Sequence, residues 1–142
     1  MDYKEKFSGV VPKSFALKAF ILGWGMVILF VIFNSLGSLM LKAQIQKVGA
    51  WNFSTVRSYF AYFATLFSQF QTWLGLGSIC VAMGAWMLAL GHLELSKAYP
   101  VAIGLNLLIV VGLGMLYFDE PLTLSKIMGA FLILSGVIVL FR

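Results

Sequence analysis

The sequence predicts an all-α membrane protein with four transmembrane helices, and three observations carry that fold class. Of the 142 residues, 61% are hydrophobic and 11% are charged, whereas soluble domains carry about a quarter charged residues. The charges gather in short clusters. Between the clusters lie apolar runs that approach the roughly 20 residues needed to cross a bilayer. The whole chain, 1–142, reads as a single transmembrane domain.

The first span is expected over about 19–41. Lys4, Lys6, Lys13 and Lys18 precede it, as they would a secretory signal, but the apolar run is longer than a signal core and no small-residue cleavage pattern follows. It therefore reads as a retained span. Lys42 and Lys47 close it, with stems long enough to reach the interface from a helix end. The second span is expected over about 73–93, the third over 98–118 and the fourth over 123–141. Asp119, Glu120 and Pro121 separate the last two, with acids suited to a helix N-terminus and a proline tolerated in the first turn. Between the first two spans, Trp51, Phe53, Tyr59, Phe60, Tyr62, Phe63, Leu66, Phe67 and Phe70 alternate with polar residues. The large residues from Tyr59 onward recur at helical spacing. The segment 55–70 is therefore either an interfacial helix in the headgroup plane, where aromatic rings are favoured, or an outward extension of the second span.

The net charge of +5 does not indicate nucleic acid, because the basic residues flank apolar spans and share no wetted surface. Lys4, Lys6, Lys13, Lys18, Lys97 and Arg142 fall on one side of the membrane; Lys42, Lys47, Arg57 and Lys126 fall on the other. This bias places both termini in the cytoplasm. Cys80 is the single cysteine and lies in an apolar stretch, which leaves no disulfide framework and no cysteine-rich metal site within the chain. With one histidine, no carboxylate pair inside the spans and no phosphate-cradling glycine loop, no catalytic set, metal site or cofactor is expected. The chain does not read as an enzyme.

Polar groups in hydrocarbon are costly, so the few inside the spans should face protein or a wet cavity. Asn34, Ser38 and Lys42 are spaced i, i+4, i+8 and form one stripe down a helix face. The third span holds Tyr99 near its start and Asn106 beside Gly104. One reading is a substrate cavity lined by Asn34, Ser38, Tyr99 and Asn106, with Lys42 and Lys97 at opposite mouths to attract an anion. The other is that Asn34 and Asn106 simply hydrogen-bond helix to helix. His92 and Glu94 cluster with Lys97 at the end of the second span, as headgroup or coupling residues or as ordinary solvated charges; Glu94 and Lys97 are three apart and suit a local ion pair. Gly129 and Gly136 lie seven apart on one face of the fourth span, where small residues allow a neighbouring helix to approach. They mark the expected dimer interface.

These residues resemble the drug/metabolite transporter superfamily, and in particular its four-helix small multidrug resistance-like members. The stretch from Asn34 to Lys42 looks like the end of their first helix, with Gly37 and Lys42 in register. Ala98-Tyr99 followed by Gly104-Leu105-Asn106 resembles their third helix, and Gly129 to Val137 resembles their dimerising fourth. Multidrug members carry a proton-binding glutamate at the position matched by Asn34, a tryptophan at that of Ala102 and a glycine at that of Asn106. Asparagine cannot ionise, so cation exchange of that kind is not expected. A branch that looks closer is the small subunits of aminoarabinose-undecaprenyl phosphate flippases, which share the Ala98-Tyr99-Pro100 start and the asparagine at 106. The resemblance implies a homodimer, or a heterodimer with a related four-helix subunit, in the bacterial inner membrane. It implies a membrane lipid as cargo, a polyprenyl phosphate-linked glycolipid. The alternative it leaves is a proton-coupled exporter of cationic drugs or small metabolites, with Glu94 as the nearest carboxylate.

Overall fold

A computed structural model describes residues 13–49 and 55–141. Lys4, Lys6, Trp51, Phe53 and Arg142 lie outside the described residues, as does the side chain of Lys13. The described residues form five helices: α1 (Lys13–Val48), α2 (Val56–Ser68), α3 (Phe70–Leu90), α4 (Leu95–Phe118) and α5 (Leu124–Leu140). Helices α1, α3 and α4 are long and apolar enough to cross a membrane, and α5 is a shorter apolar helix.

Helix α1 has 36 residues, about 54 Å at 1.5 Å per residue, well beyond the roughly 30 Å of hydrocarbon. It does not stop where the apolar run stops, because the residues that follow are good helix formers whose polar groups find partners. Gln44 is 3% exposed and donates to the side-chain oxygen of Gln71, which also accepts from Lys47 Nζ at 3.0 Å. Gly49 ends the helix in a left-handed conformation, φ 93°, and its N–H donates to Ile45 O at 3.1 Å. That conformation costs glycine little.

Helix α2 is separate from α3. Gln69 between them is extended, φ −86° and ψ 127°, so the aromatic segment does not run on as one continuous helix. The orphan carbonyls at the end of α2 are satisfied by the first turn of α3: Thr72 Oγ1 donates to Leu66 O at 2.6 Å and Trp73 Nε1 to Phe67 O at 2.8 Å. These bonds fix the angle of the joint. Of the side chains on α2, only Leu66 is buried, and Phe60 is 74% exposed.

Helix α1 is the centre of the bundle, packing chiefly on α3 and then on α4, while α5 packs on α4. Small residues make the crossings. Val27, Val31, Ala89, Ala98 and Ala102 form the buried cluster, with Trp24, Phe30 and Trp86 against it. Ala102 is 1% exposed, so a tryptophan at this position would displace the α1–α4 contact. Further along α1, Gly37 meets Gly75 of α3 so closely that a Cβ on Gly37 would sit 2.7 Å from the Gly75 oxygen. Ser78 Oγ of α3 donates to Phe33 O of α1 at 2.7 Å beside this crossing. Where no hydrophobic effect drives helices together, such close approaches and interhelical bonds supply the association. Large side chains such as Leu116 and Phe131 point outward, as befits a multi-pass membrane protein solvated by lipid.

Helix α4 starts three residues before the expected position, at Leu95, and places Pro100 in its second turn. The proline leaves the Ser96 carbonyl without its helical partner, and Ser96 is exposed. At the other end Asp119 adopts a left-handed conformation, φ 51°, and Glu120 N–H reaches back to Gly114 O at 3.3 Å. The chain thus turns sharply into α5, where Thr123 Oγ1 accepts from Lys126 N–H at 3.4 Å.

Candidate functional site

Asn106 of α4 faces the polar stripe of α1. Its Oδ1 accepts from Asn34 Nδ2 at 3.2 Å and from Ser35 Oγ at 2.8 Å, which uses both lone pairs of that oxygen. Ser35 is 1% exposed. Each such bond is worth about 0.6 to 1.7 kcal/mol within a membrane. Together they set the register of α1 against α4.

Directly beyond this junction lies a cavity of about 360 Å³ whose wall includes Ser35, Ser38, Leu39, Val110 and Phe118. Lys42, Glu120 and Lys126 form its charged end. Asn34 and Asn106 are not on the wall but brace it, and Ser35 takes the place on the cavity side. The cavity size is in the range of small-molecule sites, which begin near 300 Å³. Its lining is mainly apolar.

At the charged end Glu120 bridges two ammonium groups. Lys42 Nζ donates to Glu120 Oε1, and Lys126 Nζ lies 3.3 Å from Oε2 and 3.2 Å from the Pro121 carbonyl. Lys42 also sits 4.3 Å above the Phe118 ring centroid, a cation–π geometry. Gly114 makes the arrangement fit: a Cβ there would come within 3.2 Å of the Glu120 carboxylate. The hydrogen bond from Lys42, and then that from Lys126, hold the Glu120 carboxyl below its usual pKa. Lys42, read from the sequence as an open mouth cation, is thus ion-paired. Glu120 and Lys126 are not recognisable from the sequence as part of this site, because 78 residues separate Glu120 from Lys42. The acidic turn before α5 was visible, but nothing in it pointed to its partner.

The other expected site residues lie at the opposite end of the bundle. Trp24 and Lys42 stand roughly 27 Å apart along α1 at 1.5 Å per residue. A second cavity, about 570 Å³, opens there among Phe20, Trp24, His92, Leu93, Lys97 and Phe141. Lys97 pairs with Glu94 at 2.8 Å, and His92 Nδ1 contacts Leu88 O at 2.9 Å. Tyr99 is 53% exposed and leans on Trp86 with ring centroids 6.0 Å apart. The structure therefore groups Asn34 with Asn106 and Ser38 with Lys42, and separates both groups from Tyr99, His92, Glu94 and Lys97. Helix α5 has no buried residue, and a Cβ added at Gly129 or Gly136 would meet nothing within 4 Å.

Fold and cavity define a class: a small, helical, multi-pass membrane protein with polar groups gathered at a cavity between apolar helices. Comparison with known proteins narrows it. The probable 4-amino-4-deoxy-L-arabinose-phosphoundecaprenol flippase subunit ArnE of Hamiltonella defensa is 31% identical over 117 residues, covering 81% of this chain and 93% of that protein. Its namesake in Pseudomonas paraeruginosa is 34% identical over 70 residues, covering 49% of this chain and 60% of that protein. The namesake in Pseudomonas aeruginosa strain UCBPP-PA14 is 38% identical over 69 residues, again 49% of this chain, and 55% of that protein. The matches to the Pseudomonas proteins thus span little more than half of their length. The chain belongs to the ArnE flippase-subunit family, in the small multidrug resistance-like group of the drug/metabolite transporter superfamily. These relatives are named as transporter subunits rather than enzymes. No family model matches the chain, and no solved structure matches it.

Proposed function

We propose that this chain is one subunit of a dimeric flippase that moves a polyprenyl phosphate-linked amino sugar across the bacterial inner membrane, with both termini in the cytoplasm. The observation that carries the reading is the cavity between α1 and α4, with an apolar wall that suits a lipid and two lysines at one end that suit a phosphate. Lysine binds phosphate as a compact point charge. Asn34, Ser35 and Asn106 hold the two helices that form the cavity, and Ser38 offers a hydroxyl to the headgroup. At the other end His92, Glu94, Lys97 and Tyr99 meet the headgroup, with Glu94 suited to an amine and Lys97 to a phosphate. Helix α2 lies along the headgroup layer, which its aromatic, protein-free face supports.

The partner, an identical chain or a related four-helix subunit, docks on α5. In support, Gly129 and Gly136 are open to a neighbouring helix backbone. The exporter alternative is not favoured: the spans hold no acidic residue and Asn34 cannot ionise.

Two experiments test this. Reconstituted vesicles carrying a polyprenyl phosphate amino sugar should expose its amine to a membrane-impermeant amine reagent progressively, and faster than protein-free vesicles. No acceleration, even with a candidate partner subunit co-reconstituted, would exclude the lipid-carrier reading. In a Cys80→Ser background, Gly129→Cys should cross-link between subunits in native membranes, and an absence of cross-linked dimer would move the contact away from α5.

A further inference from the structure

Glu120 is delivered to its position by several independent features. The left-handed Asp119 turns the chain back on itself, the Glu120 N–H is anchored on Gly114 O, and the missing side chain at Gly114 leaves the space the carboxylate fills. Delivered there, it contacts Lys42 from α1 and Lys126 from α5 at once. Two ammonium groups and one carboxylate leave a residual charge of about +1 at the polar end of the cavity, by simple charge counting. The Lys42 and Glu120 side chains remain 41% and 37% exposed, so solutes can reach them.

A carboxylate spanning two cations occupies the place where two oxygens of a phosphate would sit. We infer that Glu120 is a built-in counter-ion that fills the anion subsite of Lys42 and Lys126, and that an anionic lipid headgroup binds by displacing it. The inference rests on the reading of these two lysines as the phosphate-binding groups.

The test is calorimetric titration of the full chain, purified in dodecyl maltoside, with dodecyl phosphate and separately with undecaprenyl phosphate. An exposed ion pair is worth at most a factor of about five, and Glu120 makes two, so Glu120→Gln should bind dodecyl phosphate more tightly, about fivefold and at most about 25-fold. Gly114→Ala retains the charge but crowds the Glu120 carboxylate by a few tenths of an ångström, and should tighten binding in the same direction to a smaller extent. It answers the question if Glu120→Gln fails to fold. Unchanged or weaker binding of dodecyl phosphate by the folded variants would overturn the inference, whatever the transport assays show. Tightening for dodecyl phosphate with no binding of undecaprenyl phosphate by any variant would uphold the counter-ion and overturn the polyprenyl reading instead.

Discussion

Replacing Gly37 with alanine tests the packing logic of the whole bundle, because this glycine lies where α1 and α3 come closest. The added Cβ would fall 2.7 Å from the Gly75 carbonyl oxygen and 2.7 Å from Ile79 Cγ1. Ordinary close carbon-to-oxygen approaches are about 3.3 Å, so the two helices must part by about 0.6 Å at the crossing. The Gly75 oxygen belongs to the α3 backbone and cannot swing aside as a side chain would. Overpacking of this kind costs about 1 to 3 kcal/mol, a roughly fivefold to 150-fold shift in the folding equilibrium. Gly77→Ala and Gly84→Ala are matched controls on α3, since a Cβ at either meets nothing within 4 Å. Their expected change is neutral, or stabilising by up to about 1 kcal/mol, the usual helical preference for alanine. Reversible unfolding in mixed micelles, followed by the near-ultraviolet dichroism of Trp86 and its neighbours, would compare them. If Gly37→Ala unfolded at the same denaturant fraction as Gly77→Ala, the close crossing would not be a determinant of stability.

Three further outcomes are expected. Asn106→Ala removes the shared acceptor of Asn34 and Ser35 and should cost about 1 to 2 kcal/mol in the same unfolding assay, with the buried Ser35 hydroxyl left unpaired. Asp119→Gly should fold as well as the parent or better, whereas Asp119→Val should lose about 1 to 2 kcal/mol, because a β-branched residue resists the left-handed conformation seen at φ 51°. Glu120 has its pKa lowered from 4.5 by Lys42 and Lys126, so the folded state favours its charged form. The stability it contributes is present above its unfolded pKa and disappears as pH falls through the lower folded value. Stability measured by unfolding at descending pH below about 4.5 should therefore fall more steeply for the parent than for Glu120→Gln, and parallel curves would refute the pairing.

The resemblance to four-helix transporters was legible because its marks are local: Asn34 to Lys42, Ala98-Tyr99-Pro100 and the Gly129 to Gly136 spacing each lie within one helix. The site was legible only in part. Asn34, Ser38, Lys42 and Asn106 stand out as polar residues in apolar spans, and a helix-to-helix bond for Asn34 and Asn106 is legible as one of two readings, but neither Ser35 as a third member nor Glu120 as the partner of Lys42 is. Successive helical residues turn by about 100°, so the choice between Asn34 and Ser35 on the cavity wall depends on a rotation of one residue. That rotation is fixed where Asn34 and Ser35 of α1 meet Asn106 of α4, residues more than 70 positions apart.

By itself the sequence determined that the chain is an all-helical membrane protein and roughly where its apolar spans lie. Hydrophobicity against a bilayer is a property of each segment alone, and no partner has to be known to read it. Tertiary structure alone decided that α2 breaks from α3 at Gln69, that α1 runs past Lys42 to Val48, and that Lys42 shares Glu120 with Lys126. The last two depend on groups distant in sequence meeting, as Gln44 meets Gln71 and Lys42 meets Glu120, while the break at Gln69 is held by the short-range bond from Thr72 to Leu66 that forms once α2 and α3 have turned against each other.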